Sequence, residues 1–250
     1  MFLISKGFGS MEEKCCSSTD LITFRYRFSF DDGSVRIFDI NLNGSSLDYI
    51  PTQRSESPPS WTRLTNSQCE NCPLTLKTHP FCPIAVNFVD FFEFFRAVDS
   101  YDDTDVEIEA PERTYRKTTT VQRGLGSMLG IYMVTSGCPV MEVLKPMVRF
   151  HLPFASIEET IFRSVGAYLI GQFFLQKNGL VADFALTKLR EFYIQIQKVN
   201  SGIVQRLRPV IDRDAMANAI ISLDAFAKEL PWSIEEGLED ITYLYQGYLK

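Results

Sequence analysis

Residues 69–82 read CENCPLTLKTHPFC, which puts Cys69, Cys72, His79 and Cys82 in the spacing C-x2-C-x6-H-x2-C. Thiolate sulfur and imidazole nitrogen are ligands that a tetrahedral zinc ion takes. A two-residue gap lets both members of a pair reach one ion across a tight turn, and the six-residue connection is short enough to fold the second pair onto the first. Cys82 is followed by Pro83 and then by an apolar helical pattern. Proline suits the first helical turn, so Cys82 is expected at a helix N-terminus, where the partial positive charge favours a thiolate. Ser136-Gly137-Cys138-Pro139 repeats the cysteine–proline step. Cys138 is thus a fifth candidate ligand, which would replace His79 in an all-cysteine site, and His151 is a sixth. Zinc is the expected metal. An iron–sulfur cluster is the alternative, because cysteines followed by proline also occur in its binding runs. Buried free thiols or a disulfide are the readings without metal.

Such a site needs a frame. The chain has 250 residues, is 45% hydrophobic, contains 20 phenylalanines and carries a net charge of −6. A sizeable core therefore needs no disulfides, and nonspecific nucleic-acid binding is disfavoured. The compact Cys3His spacing is similar to zinc knuckles, which bind single strands, but here only Lys77 lies near and Glu70 opposes it. No apolar run is long enough to span a membrane, and the opening MFLISKGFGSMEEK lacks the pattern of a secretory signal. The expected location is the cytoplasm, where thiols stay reduced, so six cysteines read as metal or redox chemistry before structural staples. Cys15 and Cys16 are adjacent and are left out of the site.

Phe24, Tyr26, Phe28 and Phe30 alternate with Arg25, Arg27 and Ser29, which predicts a strand with one buried face. Asp31-Asp32-Gly33-Ser34 supplies the turn of a hairpin over 21–42. A patternless surface connection comes next over 43–67, and then a helix over 83–98 with Ile84, Phe88, Phe91, Phe92 and Phe95 on one face. Val106, Ile108 and Ala110 alternate with acids as a third strand, and 113–120 forms a fourth, whose Arg113, Arg116 and Lys117 pair with the preceding acids or bind an anion. A calcium loop in the acidic run lacks EF-hand spacing. From Gln122 the chain turns helical. Gly124, Gly126, Ser127 and Gly130 fit close helix packing, or more weakly a phosphate cradle. Ser156-Ile157-Glu158-Glu159 is a capping box, Asn178-Gly179 a stop, Asp183 a further cap, Asn200-Ser201-Gly202 a break, and Ser233-Ile234-Glu235-Glu236 a second capping box. The fold class is α+β: N-terminal antiparallel β-hairpins with a metal-binding cysteine clip, then a C-terminal helical bundle. Residues 1–19 read as a tail, 20–121 as the sheet with the clip and one helix, and 122–250 as the bundle, joined to the sheet as one domain or separate from it.

The stretches CENCPL, HPFCP, ERTYRKTT, SGCP and MVRFHLPFASIEET resemble an uncharacterised family of bacterial proteins of about this size, over about residues 20 to 247. That resemblance implies a bacterial origin and no activity. The residues themselves leave three functions open. In the first, four ligands close the coordination sphere of a structural metal, and the protein binds or regulates an unknown protein or small molecule. In the second, the protein is an enzyme with Cys138 as nucleophile and His151 as base, or with a catalytic metal. In the third, the thiolates are the switch of a metal or redox sensor.

Overall fold

The computed structural model describes residues 21–52 and 57–250; the tail expected over 1–19, with Cys15 and Cys16, lies outside the described residues. Strand β1 (Leu21–Phe30) buries Ile22, Phe24, Tyr26 and Phe28 and turns its arginines outward, as the alternation predicts. Gly33, at φ +81°, and the Asp32 carboxylate, which accepts the Ser34 N–H at 2.8 Å, turn the chain into β2 (Val35–Asn43). Strands β3 (Asp103–Ala110) and β4 (Arg113–Thr120) complete an antiparallel sheet in the order β2-β1-β3-β4. Of the three β4 cations expected to pair with the preceding acids, Arg116 pairs with Glu107, while Arg113 and Lys117 form no ion pair among the described residues; Arg25 pairs with Asp39 at 2.7 Å across β1 and β2.

Helix α1 (Pro83–Phe95) and helix α2 (Val121–Val134) cover the apolar face of the sheet. The phenylalanine stripe of α1 meets Phe28 and Phe38 edge-on, and Phe91 packs against Tyr132 of α2. Gly124 is where α2 touches the sheet: a Cβ there would stand 2.8 Å from Val106 Cγ2 and 2.9 Å from Phe28 Cε1. The glycine serves close packing at that point, because no side chain fits between helix and strand.

The helical half contains α3 (Lys145–Arg149), α4 (Ile157–Lys177), α5 (Thr187–Leu207), α6 (Ala215–Glu235) and α7 (Glu239–Thr242). Helix α6 packs between α2 and α5, and one continuous core runs from the sheet through this half. The first capping box is present, with Ser156 and Glu159 bonding each other's backbone N–H groups. Two other expectations fail. Asn200-Ser201-Gly202 does not break the chain but lies inside α5, because Asn200 is bonded to Asp224 of α6 and Gly202 faces Cys69. Ser233 opens no helix either; it is buried in the last turn of α6, carried there by the apolar face that includes Ala227 and Leu230. In both cases packing between helices outweighs local propensity. The connection over 43–67 is also less superficial than expected, since Tyr49, Trp61, Thr62 and Leu64 are buried and Trp61 stacks on Phe92 at 4.5 Å. Helix α4 leaves Phe162, Ile170, Phe173 and Phe174 about half exposed. Among the described residues no helix is long and apolar enough to cross a membrane.

Candidate functional site

Cys69 and Cys72 sit on one tight turn, where the Cys72 N–H donates to the Cys69 carbonyl at 3.1 Å. Cys82 is the N-cap of α1, with Pro83 in the first turn as the sequence predicts; it makes no side-chain cap hydrogen bond, but the backbone N–H groups of Ala85 and Ile84 act to lower the pKa of its thiol. Cys138 has a similar local arrangement, with the N–H groups of Val140 and Met141 acting to lower the pKa of its thiol, although a turn and a short 3-10 segment (Glu142–Leu144) separate it from α3. All four are free thiols, and Cys82 and Cys138 are buried. Burial pushes Cys69 up to about 12 and Cys138 up to about 11, and raises Cys82 as well. Neighbouring sulfurs add to this: Cys69 feels Cys82, Cys72 and Cys138; Cys138 feels Cys82 and Cys72; and Cys82 feels Cys72. Four sulfurs from three separate stretches of chain therefore lie within electrostatic reach of one another. They are neighbours rather than a finished ligand set, since among the described residues no three His, Cys, Asp or Glu side chains are gathered tightly enough to hold a metal ion as placed. His79 is elsewhere: it is exposed, with Nδ1 3.0 Å from Thr78 Oγ1, and takes no part in the coupling of the thiols.

Helix α5 holds the cysteine turn in place. Asn71 donates to the carbonyl and the side-chain oxygen of Gln195, both at 3.0 Å, and Lys198 pairs with Glu70 at 2.9 Å. One and two turns further on, Gly202 and Arg206 continue the same face. A Cβ at Gly202 would lie 2.6 Å from the Cys69 sulfur, so only glycine lets the thiol approach the helix this closely. Arg206 is 1% exposed, and its guanidinium donates to the carbonyls of Trp61, Arg63, Leu64 and Ser67. Its Nε has no partner, and among the described residues no carboxylate forms an ion pair with it. Its positive charge acts to lower the pKa of both Cys69 and Cys82. Sequence reading did not single out Arg206, because nothing in the run Arg206-Leu207-Arg208-Pro209 says which arginine turns inward.

His151 is not part of the cysteine group. It lies where β1, α2 and the segment after α3 meet, with Nε2 2.7 Å from the Tyr26 hydroxyl and 3.3 Å from Ser127 Oγ; Tyr26 and Ser127 are 2.8 Å apart. No hydrogen bond joins it to Cys138. His151 is partly exposed and lines a cavity of about 520 Å³ bounded by α2, α4, α5 and α6. Burial, and next the charge of Arg163, push its imidazole down to about 3. An unfolded histidine titrates near 6.5, so between the two values the unfolded chain binds a proton that the native ring refuses. Stability is therefore full above about pH 6.5 and falls as the pH drops below it, by about 1.4 kcal/mol per unit. The expected result is that wild-type stability to urea falls between about pH 6.5 and about pH 5 by roughly 2 kcal/mol more than that of His151→Gln. Parallel pH profiles would count against a neutral, enclosed His151.

The chain matches a family described as "Domain of unknown function (DUF6901)" over residues 24–246, most of its length and close to the span the sequence motifs suggest. No curated protein and no solved structure matches the chain significantly.

Proposed function

We propose, for a chain that belongs to the DUF6901 family of domains of unknown function, that Cys69, Cys72, Cys82 and Cys138 hold one structural zinc ion in a binding or regulatory protein. Four thiolates close the tetrahedral sphere and leave no position for a catalytic water. The observation that carries the reading is Arg206, a buried cation bonded only to carbonyls and set beside Cys69 and Cys82. A buried charge without a counter-charge is costly, and it is balanced when the neighbouring thiols become a metal-bound thiolate cluster, which carries excess negative charge. The N–H groups directed at Cys82 and Cys138 favour the thiolate form of each in the same way. Metal binding draws the four sulfurs inward onto the ion. The ion then ties the cysteine turn to the start of α1 and to the segment after α2, which joins the sheet half to the helical half.

Elemental analysis of protein purified without an affinity metal column tests this, with Cys138→Ser and His79→Ala alongside. The expected result is about one zinc per chain in the wild type and in His79→Ala, and its loss in Cys138→Ser. Zinc kept by Cys138→Ser but lost by His79→Ala would return the site to the compact Cys3His stretch. Iron with acid-labile sulfide would replace zinc by a cluster, and a wild type free of metal would sink the proposal.

A further inference from the structure

We infer that the cavity bounded by α2, α4, α5 and α6 is a binding site for a medium-chain monocarboxylate, with the carboxylate on Arg163 and the hydrocarbon among the methionines. This inference does not rest on the metal. The chain as a whole is acidic, with 31 Asp and Glu against 25 Lys and Arg. The cavity reverses that balance: Arg123 and Arg163 line it, and no Asp or Glu does. Arg163 is half-buried and has no ion-pair partner among the described residues. Its Nη2 donates to the carbonyls of Met147 and Phe150, both at 2.9 Å, which fixes the plane of the guanidinium. Nε and Nη1 carry no hydrogen bond among the described residues. A planar guanidinium held in place with unused donors is matched by a carboxylate, which accepts through two oxygens.

The rest of the wall selects the body of the ligand. Met133, Met141 and Met147 line the space with Leu223 and Phe226. Methionine is unbranched and adapts to a flexible chain. The volume of about 520 Å³ lies within the range of small-molecule sites. At the His151 edge the Tyr26 hydroxyl, Ser127 Oγ and His151 Nε2 bond one another. His151 is neutral because its pKa is depressed, so it adds no charge there, and the anion is left to the arginines.

Gly130 offers a way to close the site without harming the fold. It lines the cavity from the middle of α2, and a Cβ built on it meets only Leu223 Cδ2, at 4.0 Å. A leucine at this position enters open space and also replaces a mid-helix glycine, which favours the helix.

The test is calorimetric titration of the full chain with octanoate and with octan-1-ol, which share a hydrocarbon body and differ in the charged head. Octanoate is expected to bind at least about tenfold more tightly than the alcohol, the equivalent of about 1.4 kcal/mol. Gly130→Leu is expected to abolish binding of both while keeping wild-type resistance to urea or exceeding it. Arg163→Met is expected to remove the preference for the acid. No binding of either probe to the wild type overturns the inference, as does equal binding of the two. Undiminished binding by Gly130→Leu puts the site elsewhere, and a preference that survives in Arg163→Met overturns the assignment of the head group. The wild-type comparison of the two probes depends on no variant, so it decides the matter even if Arg163→Met folds poorly.

Discussion

Excess EDTA added to the zinc-loaded protein is expected to lower its midpoint of thermal unfolding by about 10 °C. The size comes from the geometry of the site. Small zinc domains gain about 10–16 kcal/mol of apparent binding energy from metal, because without it they do not fold at all. This chain differs, because a continuous apolar core runs from its sheet through its helices and persists without the ion. What the metal adds is a cross-link from Cys69 through Cys82 to Cys138, which closes a loop of about 70 residues and, on the chain-entropy account, is worth about 4 kcal/mol. For a protein of this size each kcal/mol moves the midpoint by about 2–4 °C, which gives a shift of that size. The loss should begin in the segment from Trp61 to Cys82, whose only regular structure is one turn of 3-10 helix at Ser60–Thr62. Hydrogen exchange should show that segment losing protection first, with the β1–β2 hairpin holding longest. A midpoint unchanged after confirmed loss of zinc would mean that the ion does not support the fold.

Replacement of Arg206 by leucine is expected to cost about 3–5 kcal/mol, the range for breaking a buried charge arrangement from one side. Two losses add together. The carbonyls of Trp61, Arg63, Leu64 and Ser67 lose their shared donor in a region with little water to replace it. The thiolates of Cys69 and Cys82 also lose the cation beside them. Arg206→Lys separates the two effects: an ammonium keeps the charge but has fewer donors and no planar fork to span four carbonyls. Zinc affinity, read by competition with a chromogenic chelator, is expected to fall about tenfold or more in Arg206→Leu and to recover in Arg206→Lys, since about 1.4 kcal/mol of lost attraction is a factor of ten. Stability to urea is expected to recover only in part. If both variants bind zinc as the wild type does, Arg206 holds the loop alone and the charge argument for the metal fails.

The strands, the first helix and their order were legible because they rest on local signals. The alternation of Phe24, Tyr26 and Phe28 with Arg25 and Arg27, the Asp32-Gly33 turn, and Pro83 after Cys82 each bias only a few residues and need no distant partner. The Ser156 box was legible for the same reason, since both of its bonds close within four residues. The errors in the helical half have the opposite origin. Asn200-Ser201-Gly202 carries weak helix propensity, and α5 still runs through it because Asp224 and the cysteine turn occupy the far sides of those residues. Ser233-Ile234-Glu235-Glu236 has the letters of a cap, but the buried face of α6 continues through it.

The sequence by itself determined which residue types are available for metal chemistry and that Cys82 would sit at a helix start. Only the tertiary structure decided that Cys138 comes within electrostatic reach of Cys69, Cys72 and Cys82, that Arg206 stands between α5 and the loop from Trp61 to Ser67, and that two arginines and no acid line the cavity beside His151. Spacing constrains groups a few residues apart, through the reach of one turn of backbone. Groups separated by tens of residues are brought together by the packing of α5 and α6 against the rest of the chain, and that packing is set by many apolar contacts, none of which names the polar residues it carries inward.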